Sequence, residues 1–182
     1  MATATQPFAG TYTSDPIHSS FGFAARYMGV STFRGTLDDV TATLVAGEDG
    51  IRLEGTAKAE SISISQPEQF RAHVLGGEFF DAENHPEVRF VANDVDLRED
   101  GTAVVEGELT IKGITHPVTA AGTWTAPAAD AFGNTRAHLT LEATVDRSAY
   151  EMKWNAPLPS GGNALANEVT LTVDVSLVEA QA

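Results

Sequence analysis

The chain has 182 residues, a formal net charge of −14 and no cysteine, and 42% of its residues are apolar. This composition suits one folded domain rather than a disordered chain, and no apolar run approaches the roughly 20 residues that cross a bilayer. The Lys and Arg residues are scattered through an acidic chain, so we expect neither a nucleic-acid partner nor a stable membrane anchor.

The N-terminus lacks the basic head and the apolar stretch of a secretion signal. We therefore expect a cytoplasmic location. We predict a flexible segment over residues 1–7 and a single domain over residues 8–179.

Apolar residues alternate with polar ones through most of the chain, which predicts antiparallel strands with one dry face. In the first clear strand Phe21, Phe23, Ala25 and Tyr27 occupy every second position. The same alternation recurs in residues 51–59, 103–111, 139–145 and 169–177.

Turn residues separate these strands. Tight hairpins are predicted at Asp49-Gly50, Asp100-Gly101 and Lys112-Gly113. The inward phase changes by one residue near Asp38-Asp39 and again near Asn93-Asp94, which is typical of β-bulges.

One segment interrupts the strand pattern. Ser65-Gln66-Pro67-Glu68 has the form of a capping box, and Gly76-Gly77 is a stop signal, so we predict a helix from Gln66 to Leu75. About eight strands with one short helix at the side predict an all-β protein, an extended antiparallel barrel, because closure removes exposed strand edges.

A barrel of this size is either filled by its own side chains or holds one ligand. Small residues such as Gly55, Ala57 and Ala143 share the inward faces with large ones such as Phe21 and Phe90. The pattern alone leaves both a cavity and a filled, tapered core open. Because the inward positions carry almost no ionisable group, the ligand of any cavity should be apolar.

The usual signatures of catalysis are absent from the sequence. There is no Gly-x-Ser-x-Gly elbow, and no two of the five histidines have a metal-ligand spacing. We predict no catalytic residue, no metal and no cofactor other than a bound lipid. His18 and Ser19 form a candidate polar contact at the cavity mouth; the alternative is a turn or cap after Asp15-Pro16.

Four stretches together resemble the YceI-like family, in the family's order and over nearly the whole chain. They are Asp15-Pro16-Ile17-His18-Ser19-Ser20-Phe21-Gly22-Phe23, then Phe79-Phe80-Asp81 with His85-Pro86-Glu87-Val88-Arg89-Phe90, then Gly107-Glu108-Leu109-Thr110-Ile111-Lys112-Gly113-Ile114-Thr115-His116-Pro117-Val118, and finally Trp154-Asn155-Ala156-Pro157-Leu158 with Gly161-Gly162 and Glu168-Val169.

The resemblance implies a lipocalin-like barrel that binds a polyisoprenoid, an isoprenoid quinone or a related long-chain lipid. It also implies a homodimer. One departure is Tyr27, which stands where the family often has His.

The leading hypothesis is therefore a protein that binds, transports or stores a long apolar lipid. An enzyme with His18 as acid or base, and a partner-binding protein with a filled core, are the alternatives. The residues that we expect to line the cavity are Phe21, Phe23, Tyr27, Phe33, Phe70, Val74, Phe79, Phe80, Phe90, Ile111, Trp124, Leu141 and Trp154.

Overall fold

A computed structural model describes residues 7–181 of the protein. Residues 1–6 of the predicted flexible segment lie outside that range. The strands are β1 Gly10–Ser14, β2 Ser20–Tyr27, β3 Ser31–Leu37, β4 Val40–Gly47, β5 Gly50–Lys58, β6 Glu87–Leu97, β7 Thr102–Ile111, β8 Ile114–Ala129, β9 Thr135–Asp146 and β10 Leu165–Glu179, with the helix α1 at Glu68–Leu75 and 3-10 turns at Ala59–Ser61 and Arg147–Tyr150.

Eight of these strands form a closed antiparallel barrel in the order β1-β4-β5-β6-β7-β8-β9-β10, and the ring closes where β10 pairs with β1. The remaining two strands, β2 and β3, form a hairpin that continues the sheet from the other end of β10. The predicted all-β barrel with one short helix is confirmed.

The strand pattern is interrupted, rather than bulged, at Asp38-Asp39. β3 ends at Leu37 and β4 begins at Val40, so the predicted bulge there is wrong. The segment after β5 inserts beside the break: Ile62 forms a bridge to Leu37, and the backbone N–H of Asp38 donates to the carbonyl of Ser61. The change of phase therefore marks the point where β5 ends and the segment after it meets β3.

The second phase change is a true bulge, since the register between β6 and β7 shifts between Ala92 and Asp94. The three predicted hairpins are also confirmed. In the turn after β7, Lys112 and Gly113 both have positive φ, 54° and 74°, which is the geometry of a type I′ turn.

The helix starts two residues later than predicted. Pro67 has an extended backbone and is the N-cap, and no side chain caps the helix there, so Ser65 does not close a capping box. The carbonyl of Pro67 instead accepts the N–H groups of Phe70 and Arg71. Within residues 7–181 the helices are all too short and too polar to cross a membrane.

The core consists of two apolar clusters stacked along the barrel. One cluster lies at the end where β1 pairs with β10, which we call the closed end. Its most buried large side chains are Leu44, Val105, Leu139, Leu141, Val175 and Leu177. The other cluster lies under α1 and includes Phe21, Val74 and Tyr150. Phe90 and Val173 pack against both clusters.

An ion cluster outside the closed end ties the β1–β2 connection to the β8–β9 hairpin. Arg136 donates through Nη1 to Asp15 (2.8 Å) and through Nε to Asp130 (3.1 Å). Hydrogen bonds from His18 and then Arg136 hold the pKa of the Asp15 carboxyl far below its usual value, and the pKa of Asp130 is lowered chiefly by the backbone N–H of Asn134.

These depressed pKa values predict how Arg136→Gln affects stability. A carboxylate whose folded pKa is lowered stabilises the fold above its unfolded pKa, and that stabilisation disappears as the pH falls. The variant should therefore unfold at lower urea than wild type at pH 7, and the difference should narrow steadily below about pH 4. Urea unfolding followed by circular dichroism between pH 7 and pH 3 measures this.

The exposed pair of Arg52 with Glu54 (3.2 Å) supplies the control, Arg52→Gln, which should cost less at pH 7 because exposed ion pairs contribute little. If the urea midpoints of wild type and Arg136→Gln were equal at every pH, the ion cluster would not stabilise the fold.

Candidate ligand-binding site

An inner cavity of about 70 Å³ lies between the two core clusters. It forms where five small residues from four strands face inward together: Ala42, Gly55, Ala57, Ala120 and Ala143. Larger apolar side chains, among them Phe21, Phe90, Leu109 and Leu141, complete the wall, which contains no ionisable side chain.

A middle cavity of about 60 Å³ follows toward α1. It is lined by aromatic rings, including Phe23 and Phe80, whose centroids lie 5.7 Å apart, and by Val74 of the helix. Gly35 explains how Phe23 fits here, since the Phe23 ring occupies the space that a Cβ at Gly35 would need.

An outer cavity of about 140 Å³ reaches the surface between α1 and the β2–β3 hairpin. Phe79 packs on Trp154 and Phe33 on Phe70, with ring centroids 5.8 Å and 5.7 Å apart. Tyr27 and Phe70 are 37% and 40% exposed, so this cavity is the mouth of the barrel.

The three cavities form one series. Phe21 and Leu171 line both the inner and the middle cavity, whereas Phe33, Val74 and Phe79 line both the middle and the outer one. A long ligand can enter from the mouth only if these side chains rotate. The arrangement is that of an apolar tunnel divided by side chains into three cavities rather than a single open chamber.

One cation lies against the middle cavity. Arg147 is 4% exposed and donates to four backbone carbonyls, those of Met152, Trp154, Leu165 and Ala166, at 2.6 to 3.1 Å. Burial lowers its pKa from the ordinary arginine value. Within residues 7–181 its guanidinium forms no contact ion pair with a carboxylate. The four carbonyl dipoles compensate the buried charge, and the neighbouring Asp146 carboxylate adds a favourable coulombic interaction.

Arg147 therefore holds the loop of residues 151–164 in place. Asn155 assists, because its side chain accepts from the backbone N–H of Leu165 (3.0 Å) and donates to the carbonyl of the same residue (2.7 Å). The loop carries Trp154 and thus one wall of the mouth.

The structure brings twelve of the thirteen predicted lining residues to the three cavities. Trp124 is the one that lies elsewhere. Its ring stacks on Phe8 with centroids 5.9 Å apart at the closed end, and its indole N–H donates to the carbonyl of Arg98 (2.8 Å).

The two predicted polar contacts also lie away from the mouth. The His18 side chain is 66% exposed and its Nδ1 lies 2.9 Å from Asp15 in the ion cluster at the closed end. The Ser19 hydroxyl accepts from the backbone N–H of Ser176 (3.2 Å) and ties the β1–β2 connection to β10. The turn interpretation agrees with this placement.

Sequence reasoning missed Arg147, Tyr150 and Met152 in the wall of the middle cavity. A signal was present for Arg147, since the inward alternation of β9 runs through Leu139 to Val145 and reaches position 147 at the next step. Its charge hid it. In residues 7–181 no group of three or more His, Asp or Glu side chains is arranged to hold a metal ion.

A sequence profile described as the YceI-like domain matches residues 12–177. The chain belongs to the YceI-like family. A UPF0312 protein of Pseudomonas putida strain F1 is 25% identical over 182 residues, which cover 97% of this chain and 90% of the relative. A UPF0312 protein of Pseudomonas syringae pv. tomato is 26% identical over 162 residues, covering 86% of this chain and 84% of the relative.

Solved structures share the YceI-like fold. BcnA of Burkholderia cenocepacia superposes with a TM-score of 0.72 at 20% identity, over 90% of this chain and 98% of the other. A YCEI protein of Campylobacter jejuni gives 0.67 at 18% identity, over 84% and 88%. A polyisoprenoid binding domain from Saccharophagus degradans, implicated in plant cell wall breakdown, gives 0.62 at 10% identity, over 95% and 100%.

In this YceI-like barrel, Arg147→Met should lower the free energy of unfolding by about 3 kcal/mol, because it strands buried carbonyl acceptors. Arg147→Lys should cost less, since an ammonium keeps the charge but cannot reach four carbonyls at once. Urea unfolding at pH 7 measures both. Equal stability of Arg147→Met and wild type would show that the loop does not depend on this residue.

Proposed function

We propose that the protein binds a long apolar lipid, a polyisoprenoid or an isoprenoid quinone, in the tunnel and transports or stores it without chemical change. The observation that carries the proposal is the series of three apolar cavities from the barrel centre to the mouth. The structural likeness to a polyisoprenoid binding domain supports it.

The physical chemistry of such binding requires no specific polar contact. At roughly 0.3 kcal/mol per heavy atom, a buried chain of about 40 carbons gains around 12 kcal/mol, which corresponds to nanomolar affinity. Aromatic and aliphatic walls suit unsaturated, branched chains, because they bury apolar area without demanding a fixed hydrogen-bond geometry.

Catalysis finds less support in the geometry. The ionisable side chains that line the cavities are Tyr27, His73, Arg147 and Tyr150, and within residues 7–181 no two of them form a hydrogen bond with each other. His73 pairs with Glu78 (2.8 Å) at the mouth, but a base needs a substrate atom or nucleophile within reach. The homodimer and the cytoplasmic location stay predictions.

Organic extraction of the purified protein should yield a long-chain isoprenoid in mass spectrometry. When the protein is then incubated with a radiolabelled polyprenol or quinone, the label should return as the unchanged lipid. An extract without lipid, together with no uptake of label, would contradict binding. A labelled product that depends on His18 or His73 would establish the enzyme instead.

The inner cavity should set the length of chain that the barrel accepts. A Cβ at Gly55 meets only ordinary contacts, Ala42 Cβ and Thr41 O at 3.5 Å, so Gly55→Leu can fold and fill the cavity. We expect its affinity for chains of about 40 carbons to fall about tenfold, roughly 1.4 kcal/mol, while chains of about 15 carbons bind as in wild type. Displacement of a fluorescent lipid measures both.

Gly47→Leu is the matched control, because Gly47 ends β4 and a Cβ there would meet nothing within 4 Å. It should bind both chain lengths as wild type does. Circular dichroism verifies that each variant is folded. Unchanged affinity of folded Gly55→Leu for the long chain would exclude the inner cavity from the binding site.

A further inference from the structure

Besides α1, two segments form the surface around the mouth. One is the β2–β3 hairpin, and the other is the loop of residues 151–164 with the start of β10. They are directly joined, since Tyr27 pairs with Leu165 and the backbone N–H of Met28 donates to the carbonyl of Ala164 (2.6 Å).

This surface differs in charge from the rest of the chain. The protein has 25 Asp and Glu residues, yet none lies between Asp15 and Asp38 or between Glu151 and Glu168. The hairpin carries Arg26 as well as Arg34, both exposed.

The cations of the hairpin are not neutralised locally. Arg26 donates to the backbone carbonyl of Gly29 (2.9 Å), and in the described part of the chain neither Arg26 nor Arg34 forms an ion pair with a carboxylate. Lys153, on the neighbouring loop, pairs with Glu151 (2.6 Å). The hairpin therefore presents free positive charge in a protein whose net charge is −14.

Exposed apolar side chains surround the same opening. Met28 and Val30 at the hairpin tip are 41% and 82% exposed, and Phe70 on α1 is 40% exposed. Apolar side chains beside cations are what a protein needs to lie on an anionic bilayer. The acidic groups Glu78 and Glu151 at this end are paired with His73 and Lys153.

We propose that the hairpin tip docks on the surface of an anionic lipid bilayer and turns the mouth of the barrel toward it. Met28 and Val30 enter the interface, and Arg26 and Arg34 face the headgroups. The acidic remainder of the protein is repelled by the same surface, which fixes the orientation. The proposal goes beyond lipid binding in the barrel, because it concerns the outer surface and holds whether or not a lipid fills the tunnel.

Flotation of the full-length protein with large vesicles tests the proposal. Vesicles contain phosphatidylcholine alone or with 30 mol% phosphatidylglycerol, at low and at high salt. We expect binding to the anionic vesicles at low salt, and at least tenfold weaker binding to neutral vesicles or at high salt. Met28→Ser with Val30→Ser, and separately Arg26→Glu with Arg34→Glu, should each weaken binding to anionic vesicles at least tenfold.

Ile17→Ser with Phe132→Ser is the matched control. These side chains are 84% and 89% exposed and lie on the β1–β2 connection and the β8–β9 hairpin, at the opposite end of the barrel. The control should bind within twofold of wild type. Equal losses in the control and in the Met28/Val30 variant, or no binding of wild type to anionic vesicles, would overturn the proposal.

Two further measurements distinguish membrane docking from a dimer interface and from lipid binding in the barrel. Sedimentation velocity shows whether the Met28/Val30 variant turns a dimer into a monomer; if it does so with vesicle binding unchanged, the tip is an interface between two copies and the proposal fails. Mass spectrometry of the bound lipid is independent, so vesicle binding by a protein without cargo supports docking and contradicts only the proposed lipid carriage.

Discussion

Hydrogen bonds complete the ring of strands at only one end of this barrel, and the rest of the molecule depends on that constraint. β10 pairs with β1 near its C-terminus and with β2 over its N-terminal half, so one long strand serves both ends. At the far end β3 pairs with β2 but, among the described residues, with no second strand, and its other edge meets the segment after β5 through the bridge from Leu37 to Ile62. The helix α1 follows that segment and forms one side of the mouth.

The distribution of small residues decides where the interior is hollow. Gly35 makes room for the ring of Phe23, so its missing side chain is replaced by a neighbour. Gly55 pairs with another small residue, Ala42 on the adjacent strand, and both share the wall with Ala57, so no large side chain fills the space and the inner cavity results. The same residue type thus gives dense packing in one place and free volume in another.

The positive charges along the barrel differ in what compensates them. At the closed end Arg136 is held between two carboxylates, whereas beside the middle cavity Arg147 is held by carbonyls. On the β2–β3 hairpin, near the mouth, Arg34 has no carboxylate partner within the described residues. The buried charge of Arg147 is thus compensated without a carboxylate among the residues that line the middle cavity. A tunnel lined in this way can bind an apolar ligand through buried area alone, as the proposed lipid binding requires.

The sequence by itself determined the strands, most of their inward faces, the hairpins and the apolar character of the lining, because alternation and turn chemistry are local properties of the chain. The four motifs in the family's order, from Asp15 to Val169, were together sufficient to predict the family. They did not reveal that β3 and β4 are separate strands, since a bulge and a break shift the phase of a strand in the same way.

Only the tertiary structure decided how high in the barrel each inward residue lies. Trp124 and Phe90 have the same inward signature, yet Trp124 seals the closed end with Phe8 whereas Phe90 lines the inner cavity. Arg147 continues an apolar pattern, but its place in the wall depends on four carbonyls that follow it in sequence, two from the loop of residues 151–164 and two from the start of β10. Free volume and charge compensation depend on which residues become neighbours in the barrel, and period-two alternation shows only which face of a strand a residue lies on.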